Sequence, residues 1–198
     1  MALDPSKIRV AAGRIYAGVT NPASGSVLGL TSGVPADGTE LGLTQGESVM
    51  TYEVTYDEEM SDQVLATVAV FATQEAFQLE FTMLEYANTQ LTKFLQNATY
   101  TADEVSSPKT DLYTIGNLAD GNGSAVPLAS IYLVSPIPGT SPQRYTIVGL
   151  YQAYQSEPAV ARYTREGSTV MKSTFKSVAD LTRNSGDYCG QIVVERNS

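Results

Sequence analysis

Two short segments alternate so strictly that they leave little choice of local structure. Met50 to Tyr56 sets Met50, Tyr52, Val54 and Tyr56 on one side and Thr51, Glu53 and Thr55 on the other. Phe77 to Met83 sets Phe77, Leu79, Phe81 and Met83 against Gln78, Glu80 and Thr82. A period of two belongs to a strand with one apolar and one wet face. Both segments are therefore predicted as half-buried strands with matching polar faces. If they share a sheet, that face carries carboxylates into water.

The rest of the chain reads mostly the same way. Lys7 to Thr20, with Ile8, Val10, Ile15 and Val19 around Gly13, predicts a strand bulged or bent at the glycine. Between the two alternating segments, Asp57-Glu58-Glu59 predicts an acidic elbow, and Asp62 to Thr73 a mostly apolar strand or pair of short strands. Val126 to Ser135, Arg144 to Gln155, Thr169 to Val178 and Cys189 to Arg196 are further predicted strands. In Tyr145 to Tyr151 both faces are apolar, so that strand is buried on both sides or lies in an interface. A single helix is predicted from Ala87, where Ala87, Leu91, Phe94, Leu95 and Ala98 form one buried stripe and Asn88 or Thr89 caps the start. Thr101 to Ala125 reads as a long connection.

Asn21 to Gly46 departs from both periodicities. Gly25, Gly29, Gly33, Gly38, Gly42 and Gly46 recur every four or five residues, with Pro22 and Pro35 among them. A loop of this length is uncommon inside a compact domain and is either functional or disordered. The chain is expected to be one domain over 1–198, with 21–46 as a long loop inserted in it.

Composition removes whole classes of chemistry. The 198 residues hold no His and one Cys, Cys189. A Cys/His zinc cluster, a Ser-His-Asp triad and a Cys-His dyad are all excluded. The start MALDPSKIRV lacks the pattern of an export signal, and the most apolar run, Val64 to Ala72, is nine residues long, against about 20 for a membrane-spanning helix. No membrane anchor is expected.

Net charge is -9, and it is unevenly placed. Between Arg14 and Lys93 there is no Lys or Arg, while eleven of the 21 acids lie there. Such a surface repels nucleic acid rather than gripping it, or it simply keeps the protein dispersed. No phosphate loop and no nucleophile elbow occurs. Asp120-Gly-Asn122-Gly-Ser124 resembles the opening of a calcium loop, but its twelfth position is Ile131, so a tight turn is the default. Asp57, Glu58, Glu59 and Asp62 offer a cation chelate or a carboxylate pair for glycoside chemistry, with a solvated acidic turn as the default. The 12 Tyr, with no Trp, suit an extensive protein interface and are equally good strand formers.

The order of these elements carries a resemblance: GRIYAG, the glycine-punctuated loop, paired strands, AFQLEFTMLEYANTQLTKFLQNAT and TFKSVADLTRNSGDYCGQIVVER. It resembles the tail tube proteins, also called major tail proteins, of long-tailed bacteriophages, most tellingly over Asp62 to Thr99. The resemblance covers nearly the whole chain in layout. It implies a mainly β fold, a β-sandwich or barrel of the tail tube type, with one flanking α-helix and a long inter-ring loop. It also implies six copies closing into a ring, and rings stacking into a hollow tube through which DNA passes without specific binding. Carried over by position, Thr51, Glu53, Thr55, Gln78, Glu80 and Thr82 would face the lumen. Gly25, Gly29, Gly33, Gly38 and Gly42 would lie in the inter-ring arm, and Leu91, Phe94 and Leu95 would seat the helix on the sandwich.

The partners implied are further copies of the chain and other tail proteins such as the tape measure and the terminator. The implied location is the virion tail, assembled in the host cytoplasm. No catalytic residue, metal or cofactor is expected. Physics is consistent with this, since a conduit for a polyanion should not bind its cargo, and closed rings use up strand edges. The alternatives are a distal-tail or terminator ring, a carboxylate-dependent glycosidase using Glu58 and Glu59, and a sandwich adhesin, which the missing export signal disfavours.

Overall fold

A computed structural model describes residues 13–61, 66–84, 98–103, 105, 108–115, 128–162 and 170–196. In chain order the strands are β1 (Arg14–Ala17), β2 (Leu30–Thr31), β3 (Val34–Pro35), β4 (Thr39–Leu43), β5 (Val49–Ser61), β6 (Ala66–Met83) and β7 (Ala98–Asp103). They continue as β8 (Thr110–Ile115), β9 (Ala129–Ile137), β10 (Arg144–Gln155), β11 (Val160–Arg162), β12 (Val170–Ser177) and β13 (Gly190–Val194). No helix occurs among the described residues; the predicted helix with Leu91, Phe94 and Leu95 lies outside them except for its last stripe residue, Ala98, which is the first residue of β7 and not helical.

The main sheet runs β4-β1-β9-β10-β12-β6-β5, with β11 beside β12 and β13 beside β10. All of its pairings are antiparallel. An antiparallel bridge between Thr44 and Met83 ties the β4 end back to β6. Around it, the Gln45 amide donates to the Thr82 carbonyl at 2.7 Å and the Leu84 amide to the Leu43 carbonyl at 3.0 Å. The path β4-β1-β9-β10-β12-β6 thus returns on itself at this end as a barrel. Every strand on that path feeds its interior: Ile15, Leu41, Leu79, Phe81, Ile131, Leu133, Val148, Leu150 and Phe175 are fully enclosed. The rings of Phe81 and Phe175 stack there with centroids 5.8 Å apart. Burial of such side chains contributes about 1.5–3 kcal/mol each, which is ample for a stable core.

Strand β10 is apolar on both faces, as its sequence predicts. Val148 and Leu150 enter the barrel, while Ile147 and Tyr151 join Tyr16, Val19, Leu28, Tyr132 and Val134 in a second cluster outside it. That outer cluster is covered by the glycine-punctuated segment, which is therefore not a structureless loop. It contains the β2–β3 hairpin and all of β4, and Leu28 and Leu41 are both buried. Regular periodicity is lost because the chain reverses repeatedly: Gly25, Gly33, Gly38, Gly42 and Gly46 all adopt positive φ, which glycine does at least cost. At Gly33 a side chain would collide with the ring of Tyr145.

Other expectations change as well. Asp57-Glu58-Glu59 is no elbow but part of β5, opposite Phe71, Val70 and Ala69 of β6. The strand or pair of short strands expected over Asp62 to Thr73 is, from Ala66 onwards, one strand with the alternating segment after it, β6, kept continuous through bulges at Thr55/Tyr56 and Glu59/Met60. The predicted connection after Thr101 contains a hairpin, β7–β8, where the rings of Tyr100 and Tyr113 lie 5.2 Å apart. Gly13 marks a close approach rather than a bend, since a Cβ there would sit 2.5 Å from the Val134 carbonyl oxygen, and the bulge falls at Ile15/Tyr16. The 120–124 turn lies outside the described residues.

Candidate functional site

Two surfaces of the barrel differ in kind. The outer face of β1, β9 and β10 is covered by the segment 19–35, and that cover is locked by a clasp. The Arg183 guanidinium lies over the Tyr151 ring at 3.7 Å and donates to Asp187 Oδ2 at 2.8 Å. The Tyr151 hydroxyl donates to Asp187 Oδ1, and the Ser24 hydroxyl and the Gly25 amide donate to Asp187 Oδ2. Arg183 Nη1 donates to the Pro22 carbonyl, Asn21 Nδ2 to the Tyr151 carbonyl, and the Tyr132 hydroxyl to Asn21 Oδ1.

Burial alone would raise the Asp187 carboxyl. The hydrogen bonds from Tyr151, Ser24, Arg183 and Gly25 outweigh it and hold the group down at about 2. The same burial, with the hydrogen bond to Asp187, pushes Tyr151 up to about 12. Burial raises Tyr132 further still. These groups are satisfied by one another, so the clasp positions a segment and offers no reactive group.

The outer face of β6 and β5 is uncovered, while on β12 it is covered at Thr174, which is buried opposite Glu80 and donates to Glu157 Oε2. Register places Thr51 opposite Gln78, Val49 opposite Glu80, and Thr82 opposite Lys172. Paired residues of an antiparallel ladder share a face. The six residues predicted as lumen-facing, Thr51, Glu53, Thr55, Gln78, Glu80 and Thr82, therefore do lie on one face. It continues along β5 through Asp57 and Glu59, while Glu58 points to the other side. The three consecutive acids are split across a strand rather than gathered in a cleft. No group of three potential metal ligands occurs among the described residues.

This face is not the lysine-free wall that the first half of the sequence suggests. Strand β12 inserts beside β6 and brings Lys172 and Lys176 opposite Thr82 and Gln78. Lys172 Nζ lies 2.7 Å from Glu80 Oε1. A sequence window over 15–92 contains no hint of this, because the lysines arrive from a strand some ninety residues later. Glu53, Asp57 and Glu59 have no ion pair among the described residues.

Beyond Phe77 the β5–β6 ribbon leaves the barrel. Met50 is half-buried against the core, but Tyr52, Tyr56, Val70 and Phe71 are all exposed, so the expected half-buried strand holds only for its first residues. The outer edge of β5 has no strand partner among the described residues. Neither has the outer edge of β13. A groove of about 730 Å³ separates the ribbon from the segment leading into β13, lined by Tyr52, Gln74, Glu75, Tyr188, Cys189 and Ile192 among others.

The expected inter-ring glycines sit in the covered region. Gly25 is held by Asp187, Gly33 lies under Tyr145, Gly38 against Val19, and Gly42 in β4 opposite Ile15. A Cβ at Gly25 or at Gly29 would meet open space. The segment is strapped to its own barrel, and what it offers outward is its exposed turns, such as Val27. The strap was hidden from sequence reasoning because its anchors, Arg183 and Asp187, lie some 160 residues away.

No protein-family model matches the chain, and no curated protein is significantly similar to it. Among the described residues no helix is long and apolar enough to cross a membrane.

Proposed function

We propose that this chain is the repeating subunit of a hollow homo-oligomeric tube of the phage tail tube kind, in which rings of six copies stack and DNA passes along the bore. The observation that carries this reading is the β5–β6 ribbon. It is a long two-stranded sheet, exposed on both faces, with the edge of β5 open along its length and that of β6 open before Phe77 among the described residues, and it is continuous with a self-sufficient barrel. A two-stranded ribbon is marginal in water by itself, and an open edge of this length invites further strands. Copies joined side by side would remove that edge and extend the face bearing Thr51, Glu53, Thr55, Gln78, Glu80 and Thr82 into a wall.

That wall would carry Glu53, Asp57 and Glu59 towards the bore, with Glu80 neutralised by Lys172. The net field remains negative and opposes adhesion of a polyanion without trapping it. The strap would present Val27 and its neighbours to the adjacent ring. As a tail component, the protein would meet the tape measure inside the tube and the terminator at its end, and would locate to the virion tail.

Negative-stain electron microscopy of the concentrated protein tests the reading. Hollow cylinders of constant width are expected, and particles without an enclosed passage contradict it. The doubly charge-reversed variant Glu53→Lys with Glu80→Lys is expected to assemble and to slow DNA release at low salt, where screening is weakest. Unaltered release would remove the two glutamates from the bore.

A further inference from the structure

We propose that the ribbon is hinged where it leaves the barrel and closes onto β13 of the same chain, so that β6 from Val70 to Glu75 pairs antiparallel with Gly190–Val194. Closure goes beyond the tube reading without resting on it, because it leaves the outer edge of β5 and the face bearing Glu53 untouched.

The two strands face each other across the groove. Before Phe77, β6 has β5 on one side and no strand on the other among the described residues. Strand β13 has β10 on one side and likewise no strand on the other. They approach at one point, where a Cβ on Gly190 would sit 2.8 Å from the Phe77 ring. Beyond it opens the groove of about 730 Å³, with Ala72, Gln74 and Glu75 on one wall and Gly190 and Ile192 on the other.

Strand order explains why these edges are poised to meet. Strand β12 lies between β10 and β6, and β13 takes the place beside β10 that β12 leaves: Ala153 pairs with Ser177, then Leu150 with Gly190. A β6 that stayed in the sheet would therefore pass from β12 to β13. Two irregularities set the register. Strand β10 has one extra residue between Leu150 and Ala153, and β6 has one between Ala72 and Gln74. Counting down from the Lys176–Gln78 pair through both bulges brings Gly190 opposite Glu75, Ile192 opposite Ala72, Val193 opposite Phe71 and Val194 opposite Val70.

The side chains agree with this register. Ile192 and Val194 stand on the side of β13 that looks into the barrel, since Ile192 pairs with the enclosed Val148. Ala72 and Val70 stand on the side of β6 that carries the buried Phe77, since they pair with Tyr56 and Glu58 as Phe77 pairs with Tyr52. A slip of one residue would set the two apolar rows on opposite faces. Closure gathers Tyr52, Tyr56, Val70, Ile192 and Val194, each at least 42% exposed in the open form, into one apolar face continuous with the core. It also pairs two strand edges that invite wrong partners. Against it stand the ordering of the ribbon and the carboxylates of Glu58 and Glu75, which share the closing face. The open form therefore prevails in the dilute subunit, and the closed form is its minor partner.

Disulfide trapping in the full chain tests the closure, with Cys189→Ser so that only introduced thiols react. Ala72→Cys with Ile192→Cys, and Phe71→Cys with Val193→Cys, are opposite in the closed register. Ala72→Cys with Val194→Cys is displaced by one pleat. Under mild oxidation of dilute protein, the opposite pairs should cross-link within the chain at least about tenfold faster than the displaced pair, because a disulfide requires closely placed Cβ atoms. In the cross-linked chain, the β6 amides between Val70 and Gln74 that point away from β5 should exchange about tenfold or more slowly than in the same chain after reduction. Thermal melting of the reduced forms reports folding, and Val70→Cys with Val194→Cys replaces an opposite pair that fails to fold. Equal rates for opposite and displaced pairs, the absence of any cross-link, or a cross-linked chain whose β6 amides still exchange rapidly would each overturn the closure. Each of these results leaves the tube reading to the microscopy of the wild-type chain.

Discussion

The barrel and the ribbon are built from the same strands yet stand in different states. Within the barrel, β6 buries Leu79, Phe81 and Met83 almost completely. A few residues earlier in the same strand, Phe71 and Val70 are each 56% exposed. The difference comes from neighbours, not from the strand itself. From Gln78 onward β6 has β12 on one side and β5 on the other, whereas before Phe77 it has β5 alone. One strand therefore belongs to a finished core at one end and to an unfinished sheet at the other. Under the proposed tube reading, this separates folding of the subunit from its assembly.

The comparison breaks most sharply under truncation of large side chains. Phe175→Ala removes an enclosed ring stacked on Phe81, and should destabilise the subunit by about 3–5 kcal/mol in denaturant unfolding. Tyr56→Ala, on the ribbon, should change it by no more than about 0.5 kcal/mol in the dilute subunit. Equal losses would mean that the ribbon is packed within the subunit.

Next in size is the clasp. Asp187→Ala leaves the Arg183 guanidinium, which is almost wholly buried, without its carboxylate, and should cost about 3 kcal/mol. It should also free the strap, seen as rapid cleavage between Pro22 and Leu30 by a broad-specificity protease. A stable variant with a protected strap would show that the clasp is incidental.

Acid offers a gentler route to the same contact. The Asp187 carboxyl is held at about 2 in the folded subunit, below its usual value near 3.9. Its contribution is therefore complete above about pH 4 and disappears as pH falls towards 2. The clasp's share, roughly 2 kcal/mol, should vanish from the melting profile in that window, and Asp187→Asn should flatten that part of the profile.

The smallest effect is expected from Lys172→Ala. The pair with Glu80 is substantially exposed on both sides and is worth less than about 1 kcal/mol to stability. Its loss should instead make the uncovered face more negative, seen as weaker retention on an anionic resin.

These contrasts also mark what the sequence could convey. Alternation around Tyr52 and Leu79 located two strands and their common polar face, because period two and burial agree wherever one side meets a core. Double-sided apolarity located β10 for the same reason. Alternation could not say that Tyr52 and Tyr56 remain exposed, since an apolar face awaiting another molecule reads like one already buried. It could not place Lys172 beside Glu80 or Asp187 beside Ser24, because both depend on pairings between distant segments. The glycine-rich stretch misled for a related reason: its turns obscure the short strands between them, and Leu41 alone carries no periodicity.

Hydrogen exchange of the backbone amides, followed at two protein concentrations, tests most directly whether the ribbon is completed by other copies of the chain. In the dilute subunit, the amides of β5 that point away from β6 should exchange rapidly while those of β9 and β10 stay protected. At concentrations where assemblies form, the same β5 amides should slow by at least about tenfold, with β9 and β10 unchanged. Outward β5 amides that are already slow in the dilute subunit, or still fast in the assembly, would contradict the account.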